Sequence, residues 1–368
     1  MSGEFPVSYV EGVTPLTESE KISQAEQYWQ EKLQNEERIG TPQLQECKCA
    51  IVVPVYNEDV RRIQKQLDSL LSQSINPEEF EVIYVVNNDV ADSDTITKNV
   101  RANNKLVIDY IHSLEGVSVF VIDKSSSGSE IIDCNVGKAR NRGVAEASLR
   151  FYENGKNGII IQTDADTYFE DERHLEKVFT AFNQSPEVVG IAGGLVFEFN
   201  PDSQNQEERE ALSLKINRLL QMKIWKEFQA FLTGDHNFTT KDNNFSGAHM
   251  LSRSFETAVI GGLADDDYGE DSQFGIDLTQ YANCNQAKVI GMKDDIKVIT
   301  ALRDSDRTPA SFKTTLDAID LTQPLVIDGN VITDDIITEC EKLILTKEGG
   351  SQLIDYMRKS LHLLRLGS

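Results

Sequence analysis

The first 46 residues have apolar side chains at helical spacing. These side chains are Ile22, Ala25, Trp29 and Leu33. Thr17 and Glu20, just before them, have the form of a capping box at a helix start. We therefore expect residues 1–46 to form an extension with one amphipathic helix that lies on the main domain. Packing without chemistry is the interpretation that the pattern favours for this extension.

From Cys49 onward, short apolar runs alternate with segments of helical spacing. The runs are CAIVVPVY (49–56), EVIYVV (81–86), VSVFVI (117–122) and GIIIQTD (158–164). A helical pattern follows the first run at Val60, Ile63, Leu67, Leu70 and Leu71, and another helix begins near Gly137. The alternation predicts an α/β fold with a mostly parallel sheet and flanking helices. In such sheets, ligands bind beyond the carboxyl ends of the strands.

The alternation stops after VVGIAGG (188–194). Residues 205–233 have the spacing of one long helix, and KVITALRD (297–304) predicts a late strand. The segment 331–366 predicts two helices, the second with Leu353, Ile354, Met357, Leu361 and Leu364 on one face. This part of the chain therefore does not continue the alternation of strands and helices that predicts the sheet.

The composition narrows the range of functions. Lys and Arg number 36 against 60 Asp and Glu, for a net charge of −24, which argues against a nucleic-acid surface and against docking on anionic membranes. No apolar run approaches the ~20 residues of a membrane span, and no signal peptide is visible at the start of the sequence. Five scattered cysteines suit a reducing compartment, so we expect a cytoplasmic protein.

The most specific local pattern is Thr163-Asp164-Ala165-Asp166-Thr167, directly after the apolar strand of residues 158–162. It places two carboxylates at the predicted ligand edge of the sheet. Carboxylate oxygens with diphosphate oxygens and water form the kind of shell that Mg²⁺ or Mn²⁺ takes. The alternative is a loop with two solvated acids, which the buried strand before the pair makes weaker.

Three cations stand within five residues of a predicted helix start, in the segment NVGKARNRG (135–143). Lys138, Arg140 and Arg142 oppose the helix macrodipole there, so they need a negative partner. A diphosphate is the partner that the position favours. Surface ion pairs with nearby Asp or Glu are the alternative.

Polar residues also follow the first two strands. Pro54, Tyr56 and Glu58 lie where the first strand leads into a helix, and Asn87-Asn88-Asp89 ends the second strand. Backbone amides and short polar side chains at such turns can hold a base or a ribose. A capped helix start and an ordinary polar loop explain the same residues about equally well.

A further acidic stretch ends in Gly269-Glu270-Asp271, after the three aspartates 265–267. A carboxylate among other carboxylates and away from bulk water holds its proton more strongly, which suits a general base. The aspartates 265–267 themselves fit a solvated turn. The choice of Asp271 depends on the wider pattern described next.

Taken together, these segments resemble a family 2 glycosyltransferase with the GT-A nucleotide-sugar-binding fold. The matching segments occur in the family's order over about residues 49–275: VVPVYNE (52–58), VVNND (85–89), NVGKARNRG (135–143), TDADT (163–167), GG (193–194), SGAHMLSR (246–253) and GGLADDDYGED (261–271).

The resemblance implies roles for the residues at these positions. Asp164 and Asp166 would ligate Mn²⁺ or Mg²⁺ on the donor diphosphate. Asp271 would be the catalytic base, with Glu270 as the competing residue. The donor-binding residues would be Pro54, Tyr56, Glu58, Asn87, Asn88, Asp89, Lys138, Arg140 and Asp164.

Two departures from the family pattern concern the contact with the nucleotide base and the metal ligands. Many members have Asp-Asp-Gly-Ser where this chain has Asn87-Asn88-Asp89-Val90. Related enzymes often add a histidine ligand after the Glu-Asp pair, but the only histidine after Asp271 is His362. Asp304, Asp306 or His249 are the alternatives for a third ligand.

The sequence thus predicts a soluble, metal-dependent, inverting glycosyltransferase with a nucleotide-sugar donor and an acceptor of unknown type, a small molecule, a glycan or a protein. A catalytically inactive binding or scaffold protein is one alternative. A sugar-phosphate nucleotidyltransferase is another, disfavoured because residues 54–59 contain no glycine. The predicted divisions are an N-terminal extension (1–46), a donor half (47–200), an acceptor half (201–305) and a C-terminal helical segment (306–368).

Overall fold

The computed structural model describes residues 15–88, 94–199, eight positions between 211 and 225, and then 245–265, 269–302, 319–327 and 330–346. The helices are α1 (Glu18–Leu33), α2 (Val60–Leu71), α3 (Asp94–His112), α4 (Val136–Glu153), α5 (His174–Gln184), α6 (Ser254–Val259), α7 (Glu270–Cys284) and α8 (Asp334–Leu345). The strands are β1 (Cys49–Val55), β2 (Phe80–Asn87), β3 (Val119–Lys124), β4 (Ile159–Gln162), β5 (Thr167–Tyr168), β6 (Val188–Phe199), β7 (Met250–Arg253), β8 (Lys288–Leu302), β9 (Val326–Ile327) and β10 (Asn330–Val331).

The main sheet has the strand order β3-β2-β1-β4-β7-β6-β8-β5. Strands β3, β2, β1 and β4 pair in parallel, whereas β7 pairs antiparallel with both β4 and β6. The predicted α/β class with flanking helices is confirmed, and the antiparallel strands make the sheet mixed. This is the architecture expected of a GT-A-like fold.

Pro54 lies inside a central strand, a position that a residue without an N–H usually cannot occupy. The backbone oxygen of Val52 accepts a hydrogen bond from the Thr163 N–H, so alternate β1 residues turn their polar backbone groups toward β4. The β1–β4 ladder pairs Val52 with Gln162 at its end, and Pro54 lies beyond it. Its missing donor therefore breaks no ladder bond.

Helix α4 lies very close to the sheet. A Cβ on Gly143 would approach Val52 Cγ1 to 2.5 Å and Val85 Cγ2 to 2.9 Å, so a larger residue would push the helix away. The side chain of Asn135 caps the helix by accepting a hydrogen bond from the Lys138 N–H. The first turn of α4 is thus fixed at the carboxyl edge of β1 and β2.

The N-terminal helix α1 is built as predicted. Its capping box between Thr17 and Glu20 is present, and its buried residues are Ala25, Tyr28, Trp29 and Leu33. Trp29 Nε1 donates to Ser148 Oγ of α4 over 2.8 Å, so the extension lies on the outer side of that helix.

The predicted boundaries of β3 and β8 were wrong, and β7 was missed. Strand β3 covers 119–124 rather than 117–122, because its parallel pairing with β2 continues to the polar residues Asp123 and Lys124. Strand β8 begins at Lys288, nine positions before the predicted start, in a stretch whose charged residues hide the strand pattern. Strand β7, inside the segment 246–253, was not predicted as a strand.

The chain divides into two compact units, one of residues 1–194 with 243–298 and the other of 195–242 with 299–368. The predicted domain boundaries follow chain order and stay a prediction. In the second unit β9 and β10 form a hairpin, and each described position between 211 and 225 is helical. The remainder of the predicted 205–233 helix and the predicted final helix lie outside the described residues.

Candidate active site

Arg140 is the centre of the site. Its side chain projects from the first turns of α4 and is only 2% exposed. Its Nη2 contacts Asp164 Oδ1 after β4, its Nη1 donates to the Gly247 oxygen over 2.6 Å, and its Nε lies 3.7 Å from Glu270 Oε1. A buried guanidinium requires such negative partners. Arg140 therefore joins the end of β4, the turn before β7 and the start of α7.

Gly247 connects the two sides of this site through its backbone. Its oxygen accepts from Arg140, and its N–H donates to Asp271 Oδ2 over 2.9 Å. Asp271 Oδ1 also accepts from the Ser272 N–H over 2.7 Å, so both carboxylate oxygens are oriented. The segment around Gly247 belongs to the family-like pattern of the sequence, but that pattern predicted no role for the glycine itself.

Glu270 is the first residue of α7 and is nearly buried. Burial raises the pKa of the Glu270 carboxyl, the charge of Arg140 lowers it in part, and the charges of Asp271 and Asp164 raise it further. Two carboxylates on one guanidinium leave a net negative charge here. Burial therefore makes Glu270 a stronger proton acceptor than an ordinary exposed glutamate.

Asp164 and Asp166 lie in a tight turn after β4. The Asp164 oxygen accepts from the Thr167 N–H over 3.1 Å and from Gln66 Nε2 of α2 over 2.7 Å. The side chain of Asp164 is 40% exposed and that of Asp166 is half-buried. Gln66 was missed by the sequence analysis, although a polar residue beside Ile63 and Leu67 on a buried helix face was a usable signal.

The donor set of this turn fits a hard divalent cation in part. Two carboxylates with solvent access can supply oxygen ligands, and substrate oxygens and water would complete the shell. Among the described residues no group of three His, Cys, Asp or Glu is arranged to hold a metal. Asp304 and Asp306, two of the considered third ligands, lie outside the described residues.

His249, the other considered ligand, is fully buried. Its Nδ1 lies 3.1 Å from the Gly194 oxygen, and since that oxygen can only accept, Nδ1 holds the proton. The ring lies 5.0 Å from that of His174, measured between centroids. Burial lowers the pKa of His249 to about 4 and lowers that of His174 as well.

The predicted nucleoside residues lie at the ends of β1 and β2. Asn87 Nδ2 donates to the Val55 and Val85 oxygens over 2.9 and 3.2 Å, and Cys134 Sγ donates to Asn87 Oδ1 over 3.1 Å. Asn87 thereby ties the two strand ends together.

Three of the other predicted nucleoside residues are described as well. The Asn88 N–H donates to the Lys124 oxygen over 3.2 Å, and Glu58 forms an ion pair with Arg62 at 3.3 Å. Tyr56 is half-buried at the same edge, and Asp89 lies outside the described residues. Their roles toward a donor stay predictions.

The three cations of α4 do not face one way. Lys138 and Arg142 are four residues apart and share a helix face, whereas Arg140 is turned by about 200° from each. Arg142 pairs with Glu146 at 3.1 Å and with Glu36 at 3.4 Å, as the ion-pair alternative predicted for it. Lys138 Nζ donates to the Ile132 and Asp133 oxygens over 3.2 and 3.0 Å.

Comparison with known proteins gave structural matches only. No family model matches the chain, and no curated protein matches it. Among solved structures, the mannosyltransferase PcManGT from Pyrobaculum calidifontis in complex with GDP-Man and Mn²⁺ is 13% identical, with 93% of this chain and 92% of that one covered and a TM-score of 0.42. S. aureus TarS 1-349 is 16% identical at a TM-score of 0.38, with 69% of this chain covered; the match spans 60% of the TarS fragment. The same TarS fragment in complex with UDP-GlcNAc is 14% identical at a TM-score of 0.41, with 86% and 72% covered.

No described helix of this chain is both long and apolar enough to cross a bilayer.

Proposed function

We propose that this chain is a glycosyltransferase that moves a sugar from a nucleotide-sugar donor to an acceptor hydroxyl, with inversion at the anomeric carbon. The observation that carries the proposal is the double link of Arg140, to Asp164 on one side and to the Glu270-Asp271 side on the other. The residues expected near a donor diphosphate and those expected to take a proton thus belong to one site.

Asp271 is the proposed base. The carboxylate accepts the proton of the acceptor hydroxyl while the acceptor oxygen bonds to the anomeric carbon. The bond from that carbon to the diphosphate oxygen breaks, and the nucleoside diphosphate leaves with the electron pair. The two backbone hydrogen bonds to Asp271 support this role, because a base must be held in a fixed direction toward the proton.

Arg140, Asp164 and Asp166 form the proposed leaving-group side. Asp164 and Asp166 would hold Mn²⁺ or Mg²⁺, which supplies positive charge for the departing diphosphate. Arg140 holds the Asp164 carboxylate in place. A metal ion fixed in this way would stabilise the negative charge that develops in the transition state more than a mobile ion in water would.

The donor-binding assignments of Pro54, Tyr56, Glu58, Asn87, Asn88 and Asp89 rest on the sequence resemblance. Lys138 is not included in the proposed donor site, because it lies on the face of α4 opposite to Arg140 and donates to the Ile132 and Asp133 oxygens. We place the protein in the cytoplasm, which is supported by its five free thiols, Cys47, Cys49, Cys134, Cys284 and Cys340.

The proposal is tested by turnover. The full chain is incubated with a panel of UDP-, GDP- and dTDP-sugars and Mn²⁺, and nucleoside diphosphate release is measured with and without a panel of acceptors. We expect release with at least one donor, and its loss in Asp271→Asn. Donor binding by calorimetry without any release would favour the inactive binding protein instead, and release of pyrophosphate from a nucleoside triphosphate and a sugar phosphate would favour the nucleotidyltransferase.

A further inference from the structure

A small cavity lies on the outer side of α4, away from Arg140. Its volume is about 140 Å³, and it is formed by the end of α1, the end of β3, the first turns of α4 and the segment before α7. The charged residues that line it are Lys32, Lys124, Lys138, Arg142, Glu36 and Asp265. Two of these come from the N-terminal extension, so the cavity depends on that extension.

The described lining is positively charged within a strongly acidic chain. Four cations and two carboxylates give 4 − 2 = +2, against a net charge of −24 for the whole protein. Lys124 contacts Glu36, which Arg142 also approaches, so this carboxylate is shared between two cations. Lys32 Nζ forms an ion pair with Asp265 Oδ2 at 2.7 Å. Arg142 also pairs with the buried Glu146 at 3.1 Å. Among the described residues, Lys138 is then the lining cation that forms no ion pair with a carboxylate.

The hydrogen-bond partners of Lys138 also leave positive charge in the cavity. Its ammonium group donates to two neutral backbone oxygens, those of Ile132 and Asp133. Neutral oxygens hold an ammonium group but do not cancel its charge. An oxyanion in the cavity would offset the charge of Lys138 and accept charge-assisted hydrogen bonds from lysines on three different elements.

The cavity is also connected to the segment that leads into α7. Asn141, which lines it, donates through Nδ2 to the Leu263 oxygen over 2.6 Å and to Asp265 Oδ1 over 3.0 Å. Its Oδ1 accepts from the Leu263 N–H and from the Tyr28 hydroxyl of α1, each over 3.0 Å. A ligand here would touch α1, α4 and the 263–265 segment together.

We propose that this cavity is a binding site for a dianionic tetrahedral oxyanion, inorganic phosphate or the phosphate group of a monoester, that fastens the N-terminal extension to the main domain. The site lies on the face of α4 opposite to Arg140 and does not rest on the proposed transfer reaction. Both ligand sources share one chemistry, a phosphate group with about −1.5 to −2 charges at neutral pH.

The test measures binding rather than transfer. The full chain in EDTA is titrated with inorganic phosphate and, separately, with glucose 6-phosphate, and the unfolding midpoint is followed against sodium chloride of equal ionic strength. A ligand that binds only the folded state raises the midpoint in a saturable way. We expect this rise with phosphate and not with chloride, and the tighter of the two phosphates identifies the source.

Lys124→Gln removes one cation from the cavity and should weaken phosphate binding about tenfold or more, the usual effect of one charge-assisted hydrogen bond. Lys105→Gln is the matched control, because Lys105 pairs with one carboxylate, Asp109, on a different helix. Lys32→Gln repeats the test if Lys124→Gln does not fold. Unchanged affinity in both cavity variants, an equal loss in the control, or no saturable rise in the wild type would overturn the proposal.

Discussion

Arg140 and Gly247 approach each other so closely that the glycine has no room for a side chain. Arg140 Nη1 donates to the Gly247 oxygen over 2.6 Å, and a Cβ on Gly247 would lie 2.5 Å from Nη2. The same Nη2 contacts Asp164 Oδ1. The identity of residue 247 therefore controls the position of a guanidinium that holds a proposed metal ligand.

Gly247→Ala should damage activity more than stability. The added methyl group displaces a side-chain end rather than backbone, so the fold should survive, but Arg140 must leave its place beside Asp164. Misplacement of about 1 Å near the reacting groups can cost roughly 10²-fold in rate. We expect a loss of that order in turnover with a small change in unfolding midpoint. Gly40→Ala, where a Cβ would meet nothing within 4 Å, is the control and should turn over at the wild-type rate.

Asp271 and Glu270 are adjacent carboxylates, and substitution can tell which of them is the catalytic base. Asp271→Asn keeps the size of the side chain and removes its ability to accept a proton, so donor affinity should persist while transfer falls by ~10²–10⁴-fold. Calorimetry with the donor and initial rates on the same preparation check the two parts separately.

Glu270→Gln is the necessary companion, because burial raises the pKa of Glu270 and makes it the rival proton acceptor. We expect Glu270→Gln to retain more transfer than Asp271→Asn. If Asp271→Asn transfers at the wild-type rate and Glu270→Gln does not, the base is Glu270. If neither substitution matters, the proposed site is wrong.

Asp166→Asn tests the metal side. The half-buried Asp166 lies at the turn after β4, and a neutral amide is a much weaker ligand for Mn²⁺ than a carboxylate. We expect the Mn²⁺-dependent part of nucleoside diphosphate affinity to disappear, with an unfolding midpoint close to that of the wild type. Asp109→Asn removes a solvent-exposed carboxylate from α3 and should bind as the wild type does. Retained Mn²⁺ dependence in Asp166→Asn would remove this residue from the metal site.

The part of the fold that could be predicted is the part whose signals are local. Buried strands such as β1 and β4 are continuous apolar runs, and the α1 capping box needs only Thr17 and Glu20. The end of β3 was misplaced because pairing with β2, not side-chain polarity, extends it to Lys124. The first half of β8 was missed for a similar reason, since charged residues in a strand give no apolar pattern.

The site was predicted as a set of residue types but not as an arrangement. The sequence placed Arg140 and Lys138 together as diphosphate ligands, whereas helical geometry turns them to opposite sides of α4. The link through Gly247 could not be found, because a backbone N–H and a backbone oxygen have no sequence signature. The raised pKa of Glu270 likewise depends on burial, which only the packing around α7 creates.

Buried His249 should make the fold sensitive to acid. Burial lowers the pKa of this histidine from the ordinary 6.5 to about 4, so the folded state binds the proton less readily than the unfolded state does. The contribution of His249 to the free energy of unfolding is therefore complete above pH 6.5. It is lost as the pH drops from 6.5 toward 4, which lowers the stability by roughly 3 kcal/mol at most. His174, whose pKa is also lowered, acts in the same direction.

His249→Asn isolates this contribution. The amide of asparagine can still donate to the Gly194 oxygen, but it does not titrate in this range, so the free energy of unfolding should fall less steeply between pH 6.5 and 4 than in the wild type. Urea unfolding at a series of pH values measures both curves, and their difference removes the contribution of carboxylates that both proteins share. Parallel curves would show that His249 is not a source of the acid sensitivity.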